Sequence, residues 1–335
     1  MKLEKQDLNL RMPTQERPSP LVSIVTPAYN EENYLAECVE SVLAQTYTNW
    51  DYTIVNNCST DATLAIAQKY AAGDPRIRVI TNSALIPAIP NLNLAMRQIS
   101  TASKYCKMVL ADDWMFPECL ERMVAVMENH ASVGIVGAYG LADQRVLWTG
   151  LPYPSSRIRG HEICRQRLLG GPYVFGSPTS LLFRSDLVRS RDPFYDESNI
   201  QADSETCFEL LKDCDFGFVH QVLTFSRDDR PGSRLVSSRK LNTAAAGVLH
   251  ELVKYGPHYL TPEEYDSRLK ATTSKYYEFL AAVFVRRWDR EFWEYHRRAL
   301  RQETREFSYP RLAYMVLKRL LDKFRLKRTQ EYWGL

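Results

Sequence analysis

Residues 21–43 read LVSIVTPAYNEENYLAECVESVL, and this stretch decides the fold. Leu21 to Thr26 is a short apolar run with β-branched residues, and Pro27 ends it. Leu35, Cys38, Val39, Val42 and Leu43 then recur at the i, i+3, i+4, i+7, i+8 spacing of one helical face. Strand followed by helix is the start of a βα unit, and the alternation repeats downstream. Tyr52 to Val55 predicts a second strand. Ser59, Thr60 and Asp61 offer N-cap and first-turn chemistry to a helix carrying Leu64, Ala67 and Ala71. Ile77 to Ile80 predicts a third strand, a helix follows from about Leu92 to Ile99, and Met108 to Ala111 predicts a fourth strand. Pro117 suits a first helical position before Leu120, Met123, Val124 and Met127. Such spacing predicts an open α/β domain with a mixed, mainly parallel sheet flanked by helices.

The pattern loosens after Gly140. Gly176 to Phe183 reads as a strand, Asp203 to Leu211 as a helix, and Phe216 to Phe225 as another strand. The polar stretch 226–238, SRDDRPGSRLVSS, reads as a loop and a domain boundary. The expected division is a polar lead-in over 1–20, an α/β domain over 21–235 and a smaller helical region over 236–335. Thr261-Pro262-Glu263-Glu264 combines a capping box with proline in the first turn. In the last helix Leu312, Val316, Leu320 and Phe324 lie beside Ala313, Leu317 and Leu321. Lys318, Arg319, Lys323, Arg325, Lys327 and Arg328 flank them. A basic amphipathic helix of this kind suits an anionic lipid surface. The alternative is a helix packed on its own domain with its cations in water, which the narrow stripe and the preceding helices favour.

The 335 residues are 45% hydrophobic and 25% charged, which excludes a disordered or collagen-like chain and a small disulfide module. The net charge of +3 is too small to indicate a nucleic-acid partner. It is unevenly spread, since residues 281–335 hold 14 Lys+Arg against 7 Asp+Glu. Seven cysteines form no CxxC pair and mostly sit in apolar periodic segments, as free thiols in a reducing, cytoplasmic compartment do. The six histidines lack zinc-site spacing. The N-terminal residues carry charges where a signal peptide needs an apolar core, and no apolar run has membrane-spanning length.

Ligands of open α/β sheets bind beyond the carboxyl ends of the strands. After the first strand come Pro27, Ala28, Tyr29, Asn30 and Glu31. The second is followed by Asn56-Asn57-Cys58-Ser59 and the fourth by Asp112-Asp113-Trp114. An Asp-Asp pair alone is more often a turn than a ligand. At a crevice shared with two other polar strand ends, it suits a hard cation, Mg²⁺ or Mn²⁺, that also takes phosphate oxygens. There is no GxxxxGK[ST] loop and no GxGxxG after the first strand. Gly134, Gly137 and Gly140 read as glycines of a packed strand.

Taken together, VSIVTPAYNEENYL, DYTIVNNCSTDAT, NLNLAM, KMVLADDWMFPECL, GSPTSLLFRSDLV and NIQADSETCFELL resemble the glycosyltransferase family 2 pattern on the GT-A fold, over about Val22 to Arg234. The resemblance implies inverting transfer of a sugar from a nucleoside diphosphate sugar to an acceptor hydroxyl, on a glycan, a lipid-linked carrier or another molecule, in polysaccharide or glycan biosynthesis. It places Pro27, Ala28, Tyr29 and Glu31 at the nucleoside, with Tyr29 against the base. Asn57 stands where an aspartate usually bonds the base. Asp112 and Asp113 match the acidic motif that meets the nucleotide and holds the cation, and Asp203 falls at the general-base position.

Two departures are plain. The usual VDDGS is Val55-Asn56-Asn57-Cys58-Ser59, with amides for both acids, and Leu110 replaces the first acid of the metal motif. The diphosphate must then complete the metal shell. Glu205 is the second choice of base, and a solvated helix face is its ordinary reading. Arg227, Arg230 and Arg234 form either a lid over the diphosphate or a solvated basic linker. Trp114 is placed to shape the sugar pocket or to serve as core. A catalytically inactive nucleotide-sugar binder is the alternative reading of the Asn pair and Leu110.

Overall fold

The computed structural model describes residues 19–198, 201–227, 240–284, 289–304 and 306–333, with side chains as far as residue 322. Most of the lead-in, Arg230, Arg234 and the side chains of the last cations of the tail lie outside what is described.

Strands β1 (Val22–Ala28), β2 (Trp50–Asn56), β3 (Ile77–Thr81) and β4 (Tyr105–Met108) pair in parallel, in the order β3-β2-β1-β4. Helices α1 (Leu35–Leu43), α2 (Thr63–Gly73) and α3 (Ala88–Met96) connect them. The α1 face predicted from spacing is buried through Leu35, Cys38, Val39 and Val42. Asp61 accepts a bond from the Thr63 amide at 2.9 Å at the entry to α2, whose N-cap is Ala62.

Two boundaries move. Helix α3 begins four residues before Leu92 because Pro90 falls in its first turn, where the missing N–H has no intrahelical acceptor to lose. Strand β4 runs from Tyr105 to Met108 and shares only Met108 with the strand expected over 108–111. Threonine hydroxyls take over the ladder: Thr26 Oγ1 donates to the Val109 carbonyl at 2.8 Å, and the Leu110 amide donates to Thr179 Oγ1 at 3.1 Å. The chain then turns, with the Asp113 amide bonded to the Leu110 carbonyl.

The sheet continues through β9 (Leu182–Arg184), β6 (Val133–Ala142), β10 (Asp215–Phe225) and β5 (Trp114–Met115). Short strands β7 (Arg145–Leu147) and β8 (Arg157–Ile158) pair with β6 and β10. The glycines of β6 are strand residues packed tightly: a Cβ on Gly137 would stand 2.9 Å from the Phe216 ring. The expected strand over 176–183 is mostly absent, because Pro178–Ser180 forms a 3₁₀ turn after Gly176, whose φ is +76°. Strand β9 is antiparallel to both β4 and β6, while β10 is parallel to β6. Thus β9 starts at the edge where β4 and β10 end.

Helix α4 (Cys119–Asn129) covers one face of the sheet, and α5 (Gly160–Leu168), α6 (Ser185–Arg189) and α7 (Ala202–Leu210) follow. Beyond them, α8 (Ala244–Tyr259), α9 (Pro262–Phe284), α10 (Arg290–Thr304) and α11 (Tyr309–Trp333) build the helical region. The capping box forms: Thr261 and Glu264 exchange amide-to-side-chain bonds of 3.1 and 3.3 Å. Helix α8 places Leu252, Tyr255 and Tyr259 in the core of the α/β part and Leu249 in that of the helical region.

The last helix splits its expected stripe. Leu312 is buried and Val316 packs on the body, whereas Tyr314, Leu317 and Leu321 are 61%, 56% and 54% exposed. The helix thus packs on its own domain through Leu312 and Val316. Residues 317 to 322 of this helix are all exposed.

Candidate active site

The parallel order brings the carboxyl ends of β1, β2 and β4 to one edge. Pro27 interrupts no ladder there, because the β1–β4 register ends at Val25 and Met108. The loops after β1 and β2 are stapled together. The Asn30 amide bonds Ser59 Oγ at 3.0 Å, Asn30 Oδ1 accepts from the Thr60 amide at 2.8 Å, and the Glu31 amide bonds Thr63 Oγ1 at 2.6 Å. Asn30 and Cys58 both adopt left-handed φ, +55° and +56°, which folds these loops sharply. Pro27, Ala28 and Glu31 are buried, while Tyr29 is 43% exposed at the rim.

The two asparagines have defined work. Asn56 Oδ1 accepts from the Ser59 amide at 3.2 Å. Asn57 Oδ1 accepts from Asn82 Nδ2 and the Ile86 amide at 2.8 and 3.1 Å, and its Nδ2 donates to the Ile86 carbonyl at 2.8 Å. The amide so ties the β3–α3 loop to the end of β2, and one N–H direction is left for a ligand. An aspartate in the same pose could not donate to Ile86.

Asp113 is the best-built residue of the edge. It is 4% exposed. Thr179 Oγ1 donates to its Oδ2 at 2.6 Å, Ser226 Oγ to the same oxygen at 3.3 Å, and the Arg227 amide to Oδ1 at 3.0 Å. None of these partners is a cation. Burial first, and then the charge of Asp112, push its carboxyl up to about 7, against the pull of those bonds. Beneath it lies Lys107 of β4, fully buried, whose Nζ donates to the Thr179 carbonyl at 2.6 Å. Burial lowers the Lys107 pKa.

Arg227 crosses the acidic pair. Its Nε donates to the Asp112 carbonyl at 3.1 Å, its terminal nitrogen pairs with Glu37, and its guanidinium lies 4.6 Å from the Tyr34 ring centre. A freely solvated linker is thus not what the described part of this segment forms. Trp114 stacks on Phe225, ring centres 5.0 Å apart, as a partly exposed wall beside the acids.

Asp203 lies in the first turn of α7, with Cys207, Phe208 and Leu211 buried as expected. That helix leads into β10. After burial, the charge of Asp203 is the next cause that raises the phenol pKa of Tyr173. Tyr173 donates to the Gly176 carbonyl at 3.0 Å. Glu205 is different. It is 2% exposed and meets His250 Nε2 at 2.5 Å and Lys254 Nζ at 3.0 Å. The solvated-face expectation does not hold: Oε1 of its buried carboxylate ties α7 to α8.

Sequence reasoning missed Thr179, Ser226 and Lys107. The lysine left a readable signal, a charge inside the apolar run YCKMVLA; the two hydroxyl residues left none.

The model of glycosyl transferase family 2 matches residues 23–191, half of the chain. The chain belongs to glycosyltransferase family 2. Over 158 residues this family 2 chain is 33% identical to the putative glycosyltransferase EpsE of Bacillus subtilis, covering 45% of the chain and 56% of that protein. It is 33% identical over 125 residues to the putative teichuronic acid biosynthesis glycosyltransferase TuaG of the same species, covering 37% of the chain and 49% of TuaG. The matches thus span about half the length of these relatives. The fold is similar to that of S. aureus TarS 1–349 in complex with UDP-GlcNAc, with a TM-score of 0.61 at 18% identity over 93% of this chain and 92% of that one. It is also similar to the mannosyltransferase PcManGT of Pyrobaculum calidifontis in complex with GDP-Man and Mn²⁺ (TM-score 0.55, 15% identity, 92% and 82% coverage).

Proposed function

We propose that the protein is an inverting glycosyltransferase that moves a sugar from a nucleoside diphosphate sugar to an acceptor hydroxyl in polysaccharide or glycan assembly. The observation that carries this reading is Asp113: a buried carboxylate held by neutral donors beside Asp112, at the edge where β1, β2 and β4 end. In this reading the base stacks on Tyr29 above Pro27, Ala28 and Glu31, and the remaining Asn57 N–H reaches its edge. Arg227 lies where a diphosphate would sit and neutralises part of its charge.

Asp112 and Asp113 would hold a divalent cation, Mn²⁺ or Mg²⁺. Their hard oxygen donors suit it, and the three bonds to Asp113 leave a lone-pair direction on Oδ1. Among the described residues no group of three or more His, Cys, Asp or Glu is arranged to hold a metal, so phosphate oxygens complete the shell. When bound, the cation supplies Lewis-acid stabilisation to the leaving diphosphate. Asp203, in the first turn of α7, takes the proton of the acceptor hydroxyl on the opposite side of the sugar.

The Asn56-Asn57 pair has a structural use in the loops it staples, which weighs against decay into an inactive binder. The experiment is a thermal-shift screen of nucleoside diphosphates and their sugars with and without Mn²⁺, followed by hydrolysis of the preferred donor. Metal-dependent hydrolysis that disappears in Asp113→Ala supports the enzyme. Binding without any turnover in the wild type, with or without acceptor, refutes it.

The exposed stripe of α11, with Lys318 and Arg319 at its flank, fits the surface of an anionic membrane and so a lipid-linked acceptor. No helix among the described residues is long and apolar enough to cross a membrane.

A further inference from the structure

A lysine with no exposed surface and no carboxylate partner among the described residues is a costly thing to keep in a central strand. Lys107 stands on β4, and its Nζ has two neighbours within bonding range: the Thr179 carbonyl at 2.6 Å and the Met123 sulfur at 3.6 Å. Thr179 is itself fully buried, in the 3₁₀ turn Pro178–Ser180. Its hydroxyl donates to Asp113 Oδ2 at 2.6 Å and accepts from the Leu110 amide at 3.1 Å. The backbone oxygen of one residue is thus held by Lys107 while its side chain holds Asp113.

We propose that Lys107 is a positioning residue for the acidic site: by fixing the Thr179 carbonyl it sets the turn whose hydroxyl aims Asp113. The physical need is clear from the fold. Thr179 belongs to a turn leading into β9, 66 residues away from Asp113 in the chain, and β9 is only three residues long. A strand so short orients its preceding turn weakly, and the lysine supplies a second anchor from the neighbouring strand. A Met or Leu at position 107 would fill the same space without it. This inference rests on the proposed function for its meaning, since Asp113 is the residue that faces nucleotide and cation there.

The test uses the full chain and follows binding of UDP and GDP with Mn²⁺ by titration calorimetry, alongside melting temperature. Loss of an outer-shell partner typically weakens metal affinity or activity about 10- to 100-fold. Lys107→Met and Thr179→Val should each weaken nucleotide–Mn²⁺ binding by that order in protein that remains folded, and Thr179→Ser should restore it. Because Lys107 acts through Thr179, the double variant should bind no worse than Thr179→Val alone. Multiplying losses in the double variant overturn the relay. So does a Lys107→Met protein that melts earlier and binds as the wild type does, for then the lysine is merely structural. A wild type that binds neither nucleotide refutes the proposed function itself, and this inference with it.

Discussion

Raising the pH should loosen the helix that carries Asp203, through one histidine. His250 on α8 stands between two carboxylates, with Nε2 at 2.5 Å from Glu205 of α7 and Nδ1 at 2.7 Å from Glu303 of α10. Only the imidazolium donates from both nitrogens. The bonds to Glu205 and then Glu303 push its pKa up from 6.5 to about 9, against burial. At about 1.36 kcal/mol per unit, this amounts to roughly 3 kcal/mol of stability. Since the folded pKa is raised, that contribution is complete below pH 6.5 and is lost as pH rises through about 9. Glu205 works at the other end. Burial opposes its charge, but the bonds from His250 and Lys254 hold it below the usual 4.5, so its contribution is present above that pH and lost below. With an unfolding entropy of about 2.1 cal/mol/K per residue, 3 kcal/mol is roughly 4 °C in a chain of this length. The assay is thermal unfolding from pH 6 to 9.5 for the wild type and His250→Gln. The wild type should lose about 4 °C more than the variant across that range. Parallel melting profiles would refute the reasoning.

Three other outcomes follow from the site and the surface. Asp203→Asn should lower turnover by about 10²- to 10⁴-fold while leaving donor affinity within a factor of about two; equal loss of donor binding would remove it from the base position. Arg227→Met should raise the KM for the donor by about tenfold, corresponding to one charge-assisted bond of about 1.4 kcal/mol, and an unchanged KM would remove Arg227 from the diphosphate. Sedimentation with vesicles containing phosphatidylglycerol should carry down the wild type, and a Leu317→Glu, Leu321→Glu double variant should remain in solution. Equal sedimentation of both proteins would show that the α11 stripe is not the contact.

Much of the framework is legible without coordinates because it is periodic. The stretch 22–43 already contains one strand and one helix, and its repeats place β2, β3, α2 and α4 within a few residues. Adjacent acids after the fourth strand fall at the edge where β1 and β2 also end for the same reason, since parallel strands share an end. The local failures come where side chains replace backbone: Thr26 and Thr179 hydroxyls end β4 early, and Pro90 hides inside the first turn of α3. Glu205 reads as one more exposed helix acid because nothing within α7 announces a partner 45 residues away.

By itself the sequence determined the alternation of strands and helices and their inward faces, with Asp112 and Asp113 after the fourth strand and Asp203 in a helix first turn. Tertiary structure alone decided what surrounds the acids. Thr179 and Ser226 reach Asp113 across 66 and 113 residues, and they meet because β9 runs against its neighbours and so begins where β4 and β10 end. Strand direction depends on which chain segments find each other in three dimensions, and a hydrogen bond between distant residues leaves no period in the chain from which to read it.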